Sequence, residues 1–323
     1  MRHPDRLRNI ALLTAALLIA MAALTGPAAA ADLQPGSLPR GADLARPYLE
    51  GTTIVDGVRR IDVPLKRPVL VATTRGGYIV RDRRLADAVF LDHDGAKRRL
   101  QGADEDTIVS TDGRLYGTAS LAGDGVTAVG VRRVSDGKRL ASRVFRSWVD
   151  ENVGRFAHPV ALSGDRMLIG GDGGRVMVWN WRRDTLRTVI DDRWHLQVGS
   201  LDEDIAAGWT APGERCTFVA RLSAPQRRMW KSCDERVVAF SPDGRRMVTT
   251  DRRVDPSFGK VRVLVMRTVT GRELDHWTAA RFTDIAFETD TAISFRLEGR
   301  TRTAMARCSA KRCESASDPT PLP

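Results

Sequence analysis

Val237-Val238-Ala239-Phe240-Ser241-Pro242-Asp243-Gly244-Arg245-Arg246-Met247-Val248-Thr249-Thr250 reads as a strand, a tight turn and a returning strand. In the first run Val238 and Phe240 alternate toward one face, as a half-buried strand requires. Pro242 fixes its own φ, and Asp243-Gly244 supplies the sharp reversal. Similar runs recur along the chain: Val69-Leu70-Val71-Ala72-Thr73-Thr74, Val126-Thr127-Ala128-Val129-Gly130-Val131, Arg175-Val176-Met177-Val178-Trp179 and Lys260-Val261-Arg262-Val263-Leu264-Val265-Met266. Beyond the first 31 residues no long helical period occurs, so the pattern predicts an all-β chain.

The turns that close these units are Asp94-Gly95, Asp136-Gly137, Asp184-Thr185, Ala224-Pro225, Thr270-Gly271 and Ala310-Lys311, and their first residues lie 42, 48, 40, 46 and 40 positions apart. A β-repeat of that period is the spacing of a β-propeller built from four-stranded antiparallel blades. Six complete units fit between Pro68 and Ser315. The earlier hairpin of Thr52-Thr53-Ile54-Val55, Asp56-Gly57 and Arg59-Arg60-Ile61-Asp62-Val63 makes a further turn, so six or seven blades are expected.

Phe240, Ser241, Pro242, Asp243 and Gly244 resemble the Phe-Ser-Pro-Asp-Gly turn of TolB-like and WD40-like propellers. Residues 161–171, Ala-Leu-Ser-Gly-Asp-Arg-Met-Leu-Ile-Gly-Gly, resemble a degraded copy. Val176-Met177-Val178-Trp179-Asn180 is similar to the third strand of a WD40 blade, and Thr111-Asp112-Gly113-Arg114-Leu115-Tyr116 is a weaker echo. The Trp-Asp and Gly-His pairs of WD40 blades do not occur in this sequence. The whole looks most like the secreted propeller proteins common in actinobacteria, a resemblance that implies the fold and leaves the activity open.

The chain has 323 residues, 51 Lys+Arg against 40 Asp+Glu and a formal net charge of +11. With 42% hydrophobic and 28% charged residues, disorder is excluded as the main state. Residues 1–31 follow the order of a secretory signal peptide: Arg2, Arg6 and Arg8, an apolar run from Ile10 to Leu24, then Thr25-Gly26-Pro27-Ala28-Ala29-Ala30-Ala31. The run is shorter than the ~20 residues that span a bilayer, so cleavage is expected and no transmembrane segment remains in the mature chain. Three Arg and one Asp leave with it, and +11 becomes +9. Residues 32–47, with Pro35, Gly36, Pro39, Gly41 and Pro47, read as an extended linker. The propeller domain is placed at 48–315, and 316–323, with three prolines, as a disordered tail.

An exported chain meets an oxidising environment, where its four cysteines form disulfides. The midpoint between Cys216 and Cys233 falls at Ala224-Pro225, inside a turn signal, so the two face each other across a hairpin. A two-residue turn at Ala310-Lys311 sets Cys308 opposite Cys313 in the same way. Neither spacing suits a zinc site.

Nucleophile elbows and Walker loops are absent from the sequence. Gly170-Gly171-Asp172-Gly173-Gly174 lies between two strands and reads as a hairpin loop, and Leu91-Asp92-His93-Asp94-Gly95 as a turn without the remaining ligands of a calcium loop. The acidic clusters Asp104-Glu105-Asp106 and Asp202-Glu203-Asp204, each read as preceding an inner strand, are the candidate acid and base of a propeller glycoside hydrolase or lyase. Solvated loops are the commoner role of such clusters. His93, His158, His195 and His276 carry no metal spacing, and the seven Trp are scattered. No catalytic, metal or cofactor residue is assigned.

Export makes nucleic acid a poor partner for this basic chain, and the sequence carries no RNA- or DNA-reading motif. The commoner reading of such a balance is compositional drift toward Arg, with many Arg paired to the acids; the alternative is association with anionic lipid or envelope polymer, through contacts that salt screens. The expectation is a secreted or extracytoplasmic, monomeric, non-catalytic propeller that binds protein or an anionic envelope polymer; the hydrolase is the alternative.

Overall fold

The computed structural model describes residues 31–84, 88–104, 106–123, 126–146, 149–150, 153–154, 157–171, 174–191, 194–210, 216–254, 260–309 and 312–322. Residues 1–30 of the signal segment, Asp172-Gly173 of the glycine-rich run, the Ala310-Lys311 turn, Glu105 and Trp148 lie outside them.

Short strands in sequence order fold into antiparallel meanders. After β1 (Ala31–Asp32) the first sheet contains β2 (Tyr48–Glu50), β3 (Thr53–Asp56) and β4 (Arg59–Asp62). The second contains β5 (Pro68–Thr74), β6 (Gly77–Asp82), β7 (Ala88–Asp92) and β8 (Lys97–Arg99). The third contains β9 (Ile108–Val109), β10 (Leu115–Gly123), β11 (Val126–Arg133) and β12 (Arg139–Arg146). A small hairpin follows, β13 (Val149–Asp150) with β14 (Val153–Gly154). The fourth sheet contains β15 (His158–Ser163), β16 (Arg166–Gly171), β17 (Arg175–Asn180) and β18 (Thr185–Ile190). The fifth contains β19 (Trp194–Ser200), β20 (Ile205–Thr210), β21 (Thr217–Arg221) and β22 (Ala224–Ser232). Then come β23 (Glu235–Phe240), β24 (Arg246–Asp251), β25 (Val261–Thr268), β26 (Glu273–Phe287), β27 (Ala292–Glu298), β28 (Arg302–Ser309), β29 (Arg312–Ser315) and β30 (Thr320–Pro321). This last ladder is continuous because β26 is long. Its first half is the outer strand beside β25, and its second half is the inner strand beside β27.

The core shows how the sheets are arranged. Leu49, Ile54 and Ile61 of the first sheet pack on Tyr78, Val80 and Leu91 of the second. Ile79 and Ala88 pack on Tyr116 of the third, and Val129, Val131 and Phe145 of the third on Met167, Ile169 and Trp179 of the fourth. The chain of contacts continues through Leu168 and Val176 to Trp194 and Phe218, then through Ile205 and Val219 to Val237 and Met247. Trp277 and Phe282 join the two halves of the final ladder. Leu44, Tyr48 and Val55 then meet Met305 and Ala316, which returns the last strands to the first sheet. Each sheet therefore buries one face on its predecessor and the other on its successor. The ring closes, and the fold is an all-β propeller.

Four of the six predicted closing turns, at Asp94-Gly95, Asp136-Gly137, Asp184-Thr185 and Thr270-Gly271, fall between a third and an outer strand; Ala224-Pro225 instead opens the outer strand β22, and Ala310-Lys311 lies outside the described residues. The Ser-Pro-Asp-Gly motif is a hydrogen-bonded turn between an inner and a second strand. Ser241 Oγ donates to Asp243 Oδ1 (2.6 Å) and accepts from the Arg246 amide (2.9 Å), Asp243 Oδ1 accepts from the Arg245 amide (3.0 Å), and Gly244 takes φ +63°. Residues 110–115 repeat this bond for bond. Ser110 Oγ donates to Asp112 (2.7 Å) and accepts from the Leu115 amide (2.9 Å), Arg114 N donates to Asp112 (3.1 Å), and Gly113 has φ +69°. The expected inward pair Val238 and Phe240 needs correction. A β-bulge between Val237 and Ala239 shifts the alternation, so Val237 is the buried residue and Phe240 packs partly beside it.

The terminal segments are more engaged than their composition suggests. In residues 32–47, Leu33 and Leu44 are buried, β1 pairs parallel with Trp277 and Thr278, and Gly41 N donates to Ser315 O (2.8 Å). The tail expected to be disordered instead continues along β28. Ala316 N donates to Met305 O (2.7 Å), and β30 pairs with Arg302 and Thr303. Pro321 fits there because, among the described residues, the other edge of β30 carries no strand.

Acid should weaken this fold. The Ser110 hydroxyl, followed by the Arg114 amide, holds the Asp112 carboxyl below the usual carboxylate range, and the Trp179 indole N–H and Arg143 do the same for Asp184. Carboxyls depressed in the folded state stabilise fully above the unfolded value of about 4 and lose that contribution as pH falls through the folded values. Thermal melting followed by circular dichroism should be flat above about pH 5 and fall below about pH 4.

Candidate anion-binding face

The outer strand β8 reads Lys97-Arg98-Arg99, and the β11–β12 turn carries cations on both sides of Asp136-Gly137. That turn is well fixed. Gly137 has φ +71°, its amide donates to Arg133 O (2.9 Å), and Asp136 Oδ1 accepts from the Lys138 amide (2.9 Å). The Lys138 amide is the main cause holding the Asp136 carboxyl below its usual range, and Arg133 adds to it. The turn therefore keeps its own negative charge and presents the surrounding positive ones.

Two depressions flank it. One, of about 600 Å³, is lined by Phe90, Leu115, Val134, Leu140 and Trp181, with Arg75, Arg114, Arg133 and Arg182 among them. The other, of about 540 Å³, is polar and is lined by Arg98, Arg99, Arg132, Lys138 and Arg139 with Gln101 and Asp136. Nine cations thus line the pair, against one lining carboxylate. Several have neutral partners. Arg98 donates to Val134 O and lies 5.0 Å from the Phe90 ring centroid, Arg132 donates to Gly137 O (3.0 Å), and Arg182 lies 4.7 Å from the Trp181 ring. Arg133 pairs with Asp136 at 2.9 Å and Arg114 reaches Asp112 at 3.9 Å. Arg75, Lys138 and Arg139 have no side-chain partner among the described residues. Elsewhere arginines are matched more fully: Arg267 bridges Glu235 (2.6 Å) and Glu273 (3.3 Å), and Arg307 bridges Glu288 (2.6 Å) and Glu314 (2.9 Å). Charge of one sign over adjoining depressions produces a focused potential, and guanidinium groups match the geometry of phosphate and carboxylate oxygens.

Among the described residues the two acidic clusters make separate hydrogen bonds. Asp104 and Asp106 precede β9, where Asp104 accepts from the Asp106 amide (3.0 Å). Asp202 follows its inner strand β19 rather than preceding one. It accepts from Thr111 Oγ1 (2.7 Å), beyond the other end of β9, and from Ser163 Oγ. Asp202 thereby ties together the turns of three sheets, and Asp204, at φ +53°, accepts from the Ser223 amide (2.9 Å). Asp92 likewise caps its own turn, accepting from Asp94 N (3.0 Å) and Ala96 N (2.7 Å). Gly171 pairs with Arg175 across the glycine-rich hairpin. Among the described residues no histidine joins a group of three or more metal-ligating side chains: His93 lies against Tyr78, His158 meets Leu196 O (3.3 Å), His195 stacks on Trp209, and His276 lies near Glu273. Trp179, Trp194 and Trp277 are core residues.

The cysteines pair as the sequence predicts, Cys216 with Cys233 and Cys308 with Cys313, with Cα atoms 4.0 and 4.1 Å apart. Cys308 and Cys313 are direct cross-strand partners. The first hairpin turns at Leu222-Ser223, earlier than expected, and bulges in β22 restore the register beside the cysteines.

No family model and no curated protein matches this chain. Among solved structures, the crystal structure of BamB from Moraxella catarrhalis is similar. The alignment covers 82% of this chain and 95% of that one, at 11% sequence identity and a TM-score of 0.47. The fold assignment rests on the sheet order and the interlocking core. Nothing in the sequence pointed to the basic face, because its cations are scattered from Arg75 to Arg182.

Proposed function

We propose that this chain is a secreted, non-catalytic β-propeller of seven blades that binds an anionic polymer of the cell envelope through the basic face. In this reading residues 1–31 are removed as a signal peptide, residues 32–47 strap the ring from outside, and the mature protein is a monomer. The two disulfides and the TolB-like turn support an extracytoplasmic protein of the kind it resembles. One observation carries the ligand class: among the described residues nine cations line two adjoining depressions, and the one carboxylate among the lining residues, Asp136, lies in the second.

Long-chain inorganic polyphosphate is the test probe. Binding measured by fluorescence anisotropy should be saturable and should weaken steeply between low and high salt, because exposed charge contacts are screened over about 10 Å at 0.1 M. Binding that is absent at low salt, or indifferent to salt, would contradict the reading.

A further inference from the structure

The first sheet has three strands where its neighbours have four, and the position of those three can be fixed. Gly51, in the β2–β3 turn, lines one cavity with Arg83, just past the end of β6, and Glu298, at the end of β27. Strands β6 and β27 are the second strands of their sheets, so β2 is a second strand as well. The outer end agrees: Gly95, in the third-to-outer turn of the next sheet, approaches Ile61 of β4, just as Gly137 approaches Arg98 of the outer strand β8. Among the described residues the first sheet therefore lacks its inner strand.

A cavity of about 710 Å³ borders the vacant position, between β2, the start of β5 and residues 284–286 of β26. Among the described residues β2 pairs with β3 alone. On its other edge the Leu49 carbonyl accepts from Arg296 Nη2 (2.5 Å) in place of a strand amide, and Arg296 is held by Asp284 (2.9 Å). Asp284 takes the left-handed φ of +53°, as Asp184 and Asp204 also do, a conformation that the short Asp side chain tolerates. Thr303 lines the same cavity; it is 8% exposed, and its buried hydroxyl oxygen has no hydrogen-bond partner.

We propose that this position is a strand-accepting site, which takes an extended segment of a partner polypeptide antiparallel to β2. The other sheets of the ring show the occupant that this position is built for, a backbone strand. Only a peptide offers the alternating N–H and C=O groups that a sheet edge needs. Leu49, Leu70, Ile285 and Ala286 supply apolar walls, so the segment should alternate apolar with polar residues. The inner strands β5 and β19, each of seven residues, set its length at up to seven residues.

The test uses the full mature protein and three synthetic peptides that copy its own inner strands β5, β15 and β23. At least one should bind saturably, slow hydrogen exchange at the Leu49 amide, and lose at least about 10-fold in affinity when alternate amides are N-methylated. Ala286→Trp, which fills the cavity, should cost the same factor. Absence of saturable binding by all three peptides would overturn the proposal. So would undiminished binding by the N-methylated forms, or by the Ala286→Trp protein if it keeps its wild-type melting temperature. Concentration-dependent dimerisation that protects the Leu49 amide would assign the edge to a second copy and overturn the partner reading.

Discussion

Reversing Arg75, Lys138 and Arg139 to Glu together is expected to weaken polyphosphate binding about 100-fold at low salt. Each cation near a polyanionic surface contributes about 1 kcal/mol, and about 1.4 kcal/mol is a factor of ten. The three are exposed and make no side-chain ion pair or hydrogen bond among the described residues, so the fold should hardly respond. A control triple reversal at Arg187, Arg227 and Arg312 changes the net charge equally on other sheets, where all three are also exposed. If only net charge mattered, both triples would weaken binding alike. If the face is the site, the control should lose far less. Isothermal titration of both variants at one salt concentration decides between the two.

The second large effect concerns the covalent framework. Replacing Cys216 and Cys233 by Ser should cost about 3 kcal/mol, because the bond closes a loop of sequence separation 17 in the unfolded chain. For a chain of this size that is about 5 °C in melting temperature. Cys308 and Cys313 close a loop of only 5, so removing that bond should cost about 1 kcal/mol less. Calorimetry of the two double variants should therefore rank them in this order. Equal losses would mean that native-state packing, rather than unfolded-state entropy, sets the effect, since Cys216 and Cys308 are both fully buried.

Local regularities were legible in the sequence. Cysteine pairing could be read because residues equidistant from a turn face each other. The turn of that hairpin was misplaced because bulges in β22 change the register between cysteines and turn. A bulge likewise put Val237 where Val238 was expected. Bulges are set by packing on neighbouring sheets, and no propensity reports them. The Ser110 turn was read as a faint echo although it repeats the Ser241 turn bond for bond, because the shared Ser and Asp matter to the geometry and the Pro does not. The proline-rich tail was misread since composition does not reveal an available sheet edge, here the end of β28. The basic face and the vacant inner-strand position were beyond sequence reading altogether. Both exist only once the ring has closed.

The most direct test of the binding reading is an arginine footprint. The protein is modified with a guanidinium-specific dicarbonyl with and without saturating polyphosphate, and modified residues are quantified by peptide mass spectrometry. The account predicts protection concentrated at Arg75, Arg99, Arg132 and Arg139, with Arg187, Arg227 and Arg312 unchanged. Protection spread evenly over the exposed arginines, or centred on another sheet, would contradict it.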